Sequence, residues 1–308
     1  MSLAYASQIL NRKFGFCQSK AKSNYIWTDA DGYAWYQNVV SNGGVITNSN
    51  QARFDAAFQS LKSTNAQDGN SLWSHINQGY WFIGQQSFSN GLFVPFYDAT
   101  GSGGRGAITS SVATNNYFTS SSYTKNAGLA GDGSTTYIDT GIANNNTSIW
   151  APATSPYRHG YVYLKGVSNK QNLPINPFGM SSISQRTFSL QISTVNSGYS
   201  VTGKVYVDSA AGGTVFTPNS IAVDGGWGVP NINGRSVCSI SIGTNSSFQV
   251  AAGTPTNSSL VSGNILIGQA AGSFSQANII ASTFGSALTS TDFASIDGIV
   301  NTLVASLT

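Results

Sequence analysis

The side chains best suited by type to act as a base near neutral pH are His75 and His159, the only two histidines in the sequence. A hydrolytic triad would need one of them between an activated serine and an orienting aspartate. His75 sits in the helical-looking run Leu72-Trp-Ser-His-Ile76, where packing or capping accounts for it. His159 lies in Pro156-Tyr-Arg-His-Gly160, a turn ahead of a strand, and reads as an exposed loop residue, with ligand contact as the alternative. The 11 acidic residues are all aspartate, which excludes HExxH zinc proteases and any two-carboxylate hydrolase that needs a glutamate. No aspartate pair stands out for glycosidase work. There is no Gly-x-Ser-x-Gly elbow, Cys-x-x-Cys pair or zinc-ligand spacing. The stretch Gly101-Ser-Gly-Gly-Arg-Gly106 lacks the Lys-Ser/Thr ending of a phosphate cradle and is expected to be a loop. The expectation is a chain that is not an enzyme, with no cofactor and no metal.

Binding chemistry is better represented. Trp150, Tyr157, Arg158 and His159 gather around Pro152 and Pro156 in a loop-like stretch, and Trp227 lies in Gly225-Gly-Trp-Gly-Val-Pro230, expected to be a turn. Aromatic faces beside arginine suit a sugar or a protein interface, where Trp, Tyr and Arg dominate the energetics. The alternative is that these aromatics fold back over a core. Arg12, Lys13, Lys20 and Lys22 form a basic arm with no acid before Asp29. Such an arm is either a solvated tail or an anchor lying on an acidic neighbour.

The scaffold that must position these groups is legible in composition. Only 8% of the 308 residues are charged, against about 25% in an ordinary domain, while 40% are hydrophobic and 12% aromatic. That is enough apolar material for a core and excludes a disordered chain. A surface of Ser, Thr, Asn and Gly, without glutamate, is a poor helix former and suits strands joined by tight turns. A net charge of +3 is too small to argue for nucleic acid as a partner. No apolar run approaches 18 residues, so no membrane span is expected, and the first 25 residues carry no signal-peptide pattern. Cys17 and Cys238 are either two separate buried thiols or a single bridge.

Three segments are expected. Residues 1–29 form the basic anchoring arm. Residues 30–89 form a small helical module: one stripe runs through Tyr33, Tyr36, Val39 and Val40, with Gly43-Gly44 as a stop. A second, capped by Asn48 or Ser49, runs through Phe54, Ala57, Phe58 and Leu61, and a third segment from Ser71 to Gly79 carries Leu72, Trp73 and Ile76. Residues 90–308 switch to period two, with strands expected around 91–97, 135–139, 160–165, 187–192, 199–207, 236–242 and 264–268. A closing helix follows, with caps at Thr289 to Thr291 and a stripe through Phe293, Ile296, Ile299, Val300, Leu303, Val304 and Leu307. The fold class is mainly β, an antiparallel two-sheet sandwich.

The order of elements and three phrases resemble a known group. Gly131-Asp-Gly-Ser-Thr-Thr-Tyr-Ile-Asp-Thr-Gly141 resembles the opening strand of concanavalin A-like (laminin-G-like) jelly-roll domains in phage virion proteins. Gly263-Asn-Ile-Leu-Ile-Gly-Gln269 and Ile279-Ile-Ala-Ser-Thr-Phe-Gly-Ser-Ala-Leu-Thr-Ser-Thr-Asp-Phe293, followed by the closing helix, are similar to the end of such domains. The resemblance spans most of residues 35–308. It implies a jelly-roll capsid decoration or head-fibre subunit in the virion, anchored by its N-terminal region, homo-oligomeric and in contact with other virion subunits. The alternative it implies is a tail or baseplate adhesin that recognises host carbohydrate. Calcium-binding members carry an Asp/Asn cluster that this sequence lacks, so no metal site is carried over.

Overall fold

The computed structural model describes residues 25–98, 113–143, 158–167, 174–179, 189–195, 200–206, 214–216, 225–229, 232–233, 237–242, 249–252, 263–270 and 272–308. Among them four helices are α1 (Ala30–Ser41), α2 (Asn48–Ser63), α3 (Leu72–His75) and α4 (Ser290–Ser306). The rest is mainly antiparallel β-structure.

One sheet contains β1 (Ile76–Trp81), β2 (Pro95–Asp98), β4 (Tyr123–Thr124), β5 (Gly128–Ala130), β7 (Arg158–Lys165), β12 (Gly225–Val229), β13 (Ile232–Asn233), β14 (Val237–Ile242), β15 (Gln249–Ala252) and β19 (Asn278–Ser286). Its main path runs β13-β14-β12-β7-β19-β1-β2. The second contains β3 (Thr114–Asn116), β6 (Tyr137–Ala143), β8 (Pro174–Gly179), β9 (Ser189–Val195), β10 (Ser200–Tyr206), β11 (Thr214–Phe216) and β16 (Asn264–Ile267) in the order β11-β10-β9-β8-β16-β6-β3. A hairpin of β17 (Gln269–Ala270) and β18 (Ser273–Phe274) completes the set.

The two sheets share one core. Tyr80, Val162, Leu164, Trp227, Ile279 and Phe284 from the first meet Ile138, Phe178, Leu190, Ile265 and Ile267 from the second. Phe178 and Phe284 touch edge to face across the gap, ring centroids 5.6 Å apart. The first sheet is buried on its other face as well. There Trp81, Phe96, Tyr161, Tyr163 and Ile280 meet Trp35, Phe54 and Phe58 from the N-terminal helices and Phe293, Ile296 and Val300 from α4. Successive side chains of a strand point to opposite faces. Tyr161-Val-Tyr-Leu164 therefore sends its tyrosines to the helices and its aliphatics to the sandwich. A strand buried on both faces loses the apolar/polar alternation and reads as a continuous apolar run.

Several local expectations shift. The buried positions of α1 are Gly32, Trp35, Tyr36 and Val39, and Tyr33 is 44% exposed. The small residue at 32 is what allows this rotation, because a Cβ there would stand 2.9 Å from the Trp27 ring and 3.0 Å from Phe58. The cap of α2 is Thr47, whose hydroxyl accepts from Asn50 N, rather than Asn48 or Ser49, while Phe54, Ala57, Phe58 and Leu61 are buried as expected. The expected third helix stops at His75 and continues as β1, which is hydrogen-bonded to β2 on one side and β19 on the other. Two ladders outweigh the weak stability of a single helical turn. The helical part and the sheet thus share one core, and β1 from the stretch expected to be helical lies inside the sheet.

Candidate functional site

Of the expected ligand-contact residues, the structure describes the side chains of His159 and Trp227, and both are buried. Trp150 and Tyr157 lie outside the described residues, as do Cys17 and the basic arm residues Arg12, Lys13, Lys20 and Lys22. Cys238 falls in β14, paired with Ile232 and Ala251. Trp227 is fully buried in the sandwich core, as the reading in which these aromatics fold back over a core expects, but it lies in a strand and not on the expected turn. It belongs to β12, and its neighbours explain why. Gly226 and Gly228 face the other way, where a Cβ on Gly226 would fall 2.4 Å from the Asp297 carboxylate and one on Gly228 2.2 Å from the Gly160 carbonyl oxygen. The Gly-Trp-Gly alternation lets α4 lie close on one face and fills the core on the other.

His159 is also a correction: it is fully buried rather than exposed in a loop. It is the second residue of β7, edge to face with Phe293 at 5.9 Å. Its Nδ1 is 2.7 Å from the Ser286 carbonyl oxygen and its Nε2 3.1 Å from Thr283 Oγ1. A carbonyl only accepts, so Nδ1–H donates to it and the Nε2 lone pair accepts the threonine hydroxyl. Burial, opposed by the Ser286 hydrogen bond and reinforced by His75, lowers its pKa to about 4, so the ring is neutral at pH 7. Arg158 pairs with Ser286 in the ladder.

The same junction gathers residues that spacing did not bring together. His75 ends α3, and Ser286 ends β19. His75 Nδ1 lies 3.1 Å from Ser286 Oγ, while Nε2 lies 3.2 Å from Oδ2 and 3.3 Å from Oδ1 of Asp68. Asp68 is held in turn by the backbone N–H and side-chain amide of Asn70, each at 2.9 Å. The amide and backbone hydrogen bonds of Asn70 hold its carboxyl below the usual carboxylate range against slight desolvation, with His75 adding to them. A carboxylate accepts only, so His75 Nε2–H donates to Asp68, and the tautomer with its proton there turns the Nδ1 lone pair to the Ser286 hydroxyl. Ser286 is therefore held at its carbonyl by one histidine and at its hydroxyl by the other. The reading of His75 as a packing or capping residue misses this contact. No spacing rule could have found it, because residues 68, 75 and 286 meet through the β1–β19 pairing of Ile76 with Gly285.

Two further polar clusters are structural. Asp132 accepts from the backbone N–H groups of Ser134, Thr135 and Thr136 and from the hydroxyls of Thr135 and Thr136, which folds the Asp-Gly-Ser-Thr turn ahead of β6. Asp55 accepts from Tyr25 Oη at 2.7 Å, Thr28 N at 2.9 Å and Asp29 N at 2.8 Å, tying the entry of α1 to α2. Among the described residues no group of three His, Cys, Asp or Glu side chains stands close enough to hold a metal ion. No described helix is long and apolar enough to cross a membrane.

No family model matches the chain, and no curated protein matches it. Solved structures do. A Trypanosoma rangeli sialidase complex aligns with TM-score 0.47 and 9% identity, covering 82% of this chain and 39% of its own. An α-L-arabinofuranosidase aligns with TM-score 0.38 and 12% identity, covering 64% and 44%. The Ruminococcus gnavus IT-sialidase CBM40 bound to a sialyllactose aligns with TM-score 0.33 and 8% identity, covering 47% of this chain and 84% of its own. This chain thus spans well under half the length of the sialidase. These findings correct the expectation of a chain without enzymatic activity, because glycoside hydrolases stand among the structures it is similar to. No residue role is carried over from them.

Proposed function

We propose that the protein is a structural subunit of a bacteriophage virion, of the capsid decoration or head-fibre type. In this reading the sandwich is a concanavalin A-like jelly roll displayed outward, in a homo-oligomer, and the basic segment before residue 25 docks on a neighbouring virion subunit. The observation that supports it is the placement of the three phrases that carry the resemblance. The 131–141 phrase forms the Asp132 turn and β6, the 263–269 phrase forms β16, and these two strands pair, Leu266 opposite Asp139. The 279–293 phrase forms β19 and the start of α4 on the facing sheet. Three stretches dispersed over 160 residues thus belong to one sandwich in the order the resemblance implies.

The test is to purify phage particles on a density gradient from a host carrying the gene. The particles would then be probed by mass spectrometry and immuno-electron microscopy. The chain is expected in many copies per particle at one location, and deleting residues 1–24 is expected to lower its occupancy. Particles free of the chain would overturn the proposal.

The adhesin reading draws on one observation, Tyr117. It is 70% exposed and adopts φ +66°, the left-handed region that bulky side chains avoid. Asn115 holds this turn by accepting from Phe118 N at 3.0 Å and donating to Phe118 O at 2.9 Å. An aromatic face kept in solvent by a strained backbone suits stacking on a sugar ring. Loss of host-cell adsorption in Tyr117→Ala, with particle occupancy unchanged, would favour this reading, and unchanged adsorption would remove it.

A further inference from the structure

We propose that Ser286, His75 and Asp68 form a serine acyl-transfer site that hydrolyses a carboxylic ester, independently of where the chain is displayed. The relay has the geometry such chemistry needs: hydroxyl to imidazole nitrogen 3.1 Å, and the other imidazole nitrogen to carboxylate 3.2 Å. A general base must lie within about 2.6–3.2 Å of the group whose proton it takes. Asp68 fixes the tautomer that leaves Nδ1 free to accept, the role an orienting carboxylate plays toward a catalytic imidazole.

The arrangement is built rather than incidental. Ser286 is anchored at its carbonyl by the neutral, buried His159, and its neighbour Gly285 brings β19 against α3. A Cβ at 285 would stand 1.9 Å from the His75 carbonyl oxygen, so any larger residue would push Ser286 away from the ring. The pairing of β1 with β19 is already held by the ladder that runs from Ile76 opposite Gly285 to Trp81 opposite Ala281, so the Ser286 hydroxyl is not needed to join the strands. Ser286 is half-buried, the His75 side chain is 12% exposed, and Asp68 is 48% exposed at the rim.

The chemistry balances with water as the sole co-reactant. Ser286 Oγ forms a bond to the ester carbonyl carbon as His75 Nδ1 takes the hydroxyl proton. The tetrahedral adduct collapses, the carbon–alkoxy bond breaks, and Nδ1 returns that proton to the departing alcohol. Water, deprotonated through the same nitrogen, then attacks the acyl-serine and releases the carboxylic acid with Ser286 restored. An ester fits better than an amide: a carboxylate half open to water supports the imidazolium less than a buried one, and an alkoxide leaves with less help than an amine.

The experiment is labelling of the full chain with diisopropyl fluorophosphate, followed by peptide mass spectrometry, beside 4-nitrophenyl acetate turnover. One adduct is expected, on the peptide containing Ser286. It should be absent in Ser286→Ala, slowed about 100-fold or more in His75→Asn, and abolished when the wild-type chain is unfolded in urea. Ester turnover should fall in parallel. Thermal melting of each variant separates loss of chemistry from loss of fold. If His75→Asn melts early, Asp68→Asn takes its place, since its side chain lies at the surface. Labelling that falls on other residues, persists in urea or is unchanged in the folded variants would overturn the assignment.

Discussion

Both ring nitrogens of His159 are engaged inside the sheet, and the ring is fully buried. Burial strips water from the charged ring, so folding opposes protonation and the pKa falls from 6.5 to about 4 despite the Ser286 hydrogen bond. The unfolded chain takes up a proton near pH 6.5 that the folded chain refuses until about pH 4. The stability this group contributes is present above 6.5 and is lost as pH falls through that window. The slope is about 1.4 kcal/mol per pH unit. Urea midpoints at pH 7, 6 and 5 should fall accordingly, and His159→Gln, which does not titrate, should flatten the dependence. An equal slope in both proteins would place the proton elsewhere. Asp297 acts in the opposite sense. Burial, partly offset by the Tyr161 hydroxyl at 2.8 Å, raises its pKa, so its contribution is lost as pH rises through the raised value. Tyr161→Phe leaves that carboxylate without the hydroxyl and should cost about 1–3 kcal/mol, read as a lowered denaturant midpoint at pH 7. Neither residue announces its burial in sequence: a histidine three residues after a proline reads as a loop wherever the next strand begins.

At the scale of elements, α4 shows how a local signal and a tertiary demand reinforce each other. Its start is fixed by a capping box in which Thr289 Oγ1 accepts from Asp292 N and the Asp292 carboxylate accepts from Thr289 N at 2.8 Å. Asp292 also accepts from Gln67 N at 3.0 Å, joining the helix to the loop after α2. Thr289→Ala should cost about 1 kcal/mol, visible as a lower melting temperature with the fold retained. The face on which α4 lands is set by Gly226 and Gly228. A methyl at 228 meets the Gly160 carbonyl, Phe293 and the Tyr161 backbone, all under 3 Å. Gly228→Ala should cost about 1–3 kcal/mol through overpacking, and melting unchanged by that substitution would mean that α4 docks less closely than the structure has it. The stripe of α4 was legible because helix periodicity involves residues three and four apart. The role of the Gly-Trp-Gly strand was not, because a glycine pair beside a proline carries the same local signal in a turn and in a strand under a helix.

At the scale of the molecule, the first sheet is the middle layer among the described residues, with the second sheet on one face and α1 to α4 on the other. A chain starting at residue 25 keeps every contact described above and should still melt cooperatively. A chain starting at residue 82 loses α1, α2, α3 and β1 and uncovers Phe96, whose ring neighbours Phe58, Trp73 and Trp81 all go with them. It should bind a hydrophobic dye and lose cooperative melting. A soluble 82–308 fragment with a sharp transition would show the helical layer to be dispensable. The division expected at residue 89 followed a change of hydrophobic period, and period reports local conformation, not which layer an element joins. By itself the sequence determined what near neighbours decide: mainly β character, the stripes of α2 and α4, the Asp-Gly-Ser-Thr turn and the absence of glutamate chemistry. The tertiary structure alone decided that both faces of one sheet are covered, that Trp227 and His159 point inward, and that Asp68, His75 and Ser286 meet. The physical reason is that strand pairing joins residues more than 200 positions apart through backbone hydrogen bonds, which every residue type but proline can make, so the pairing leaves little mark on the residues it brings together.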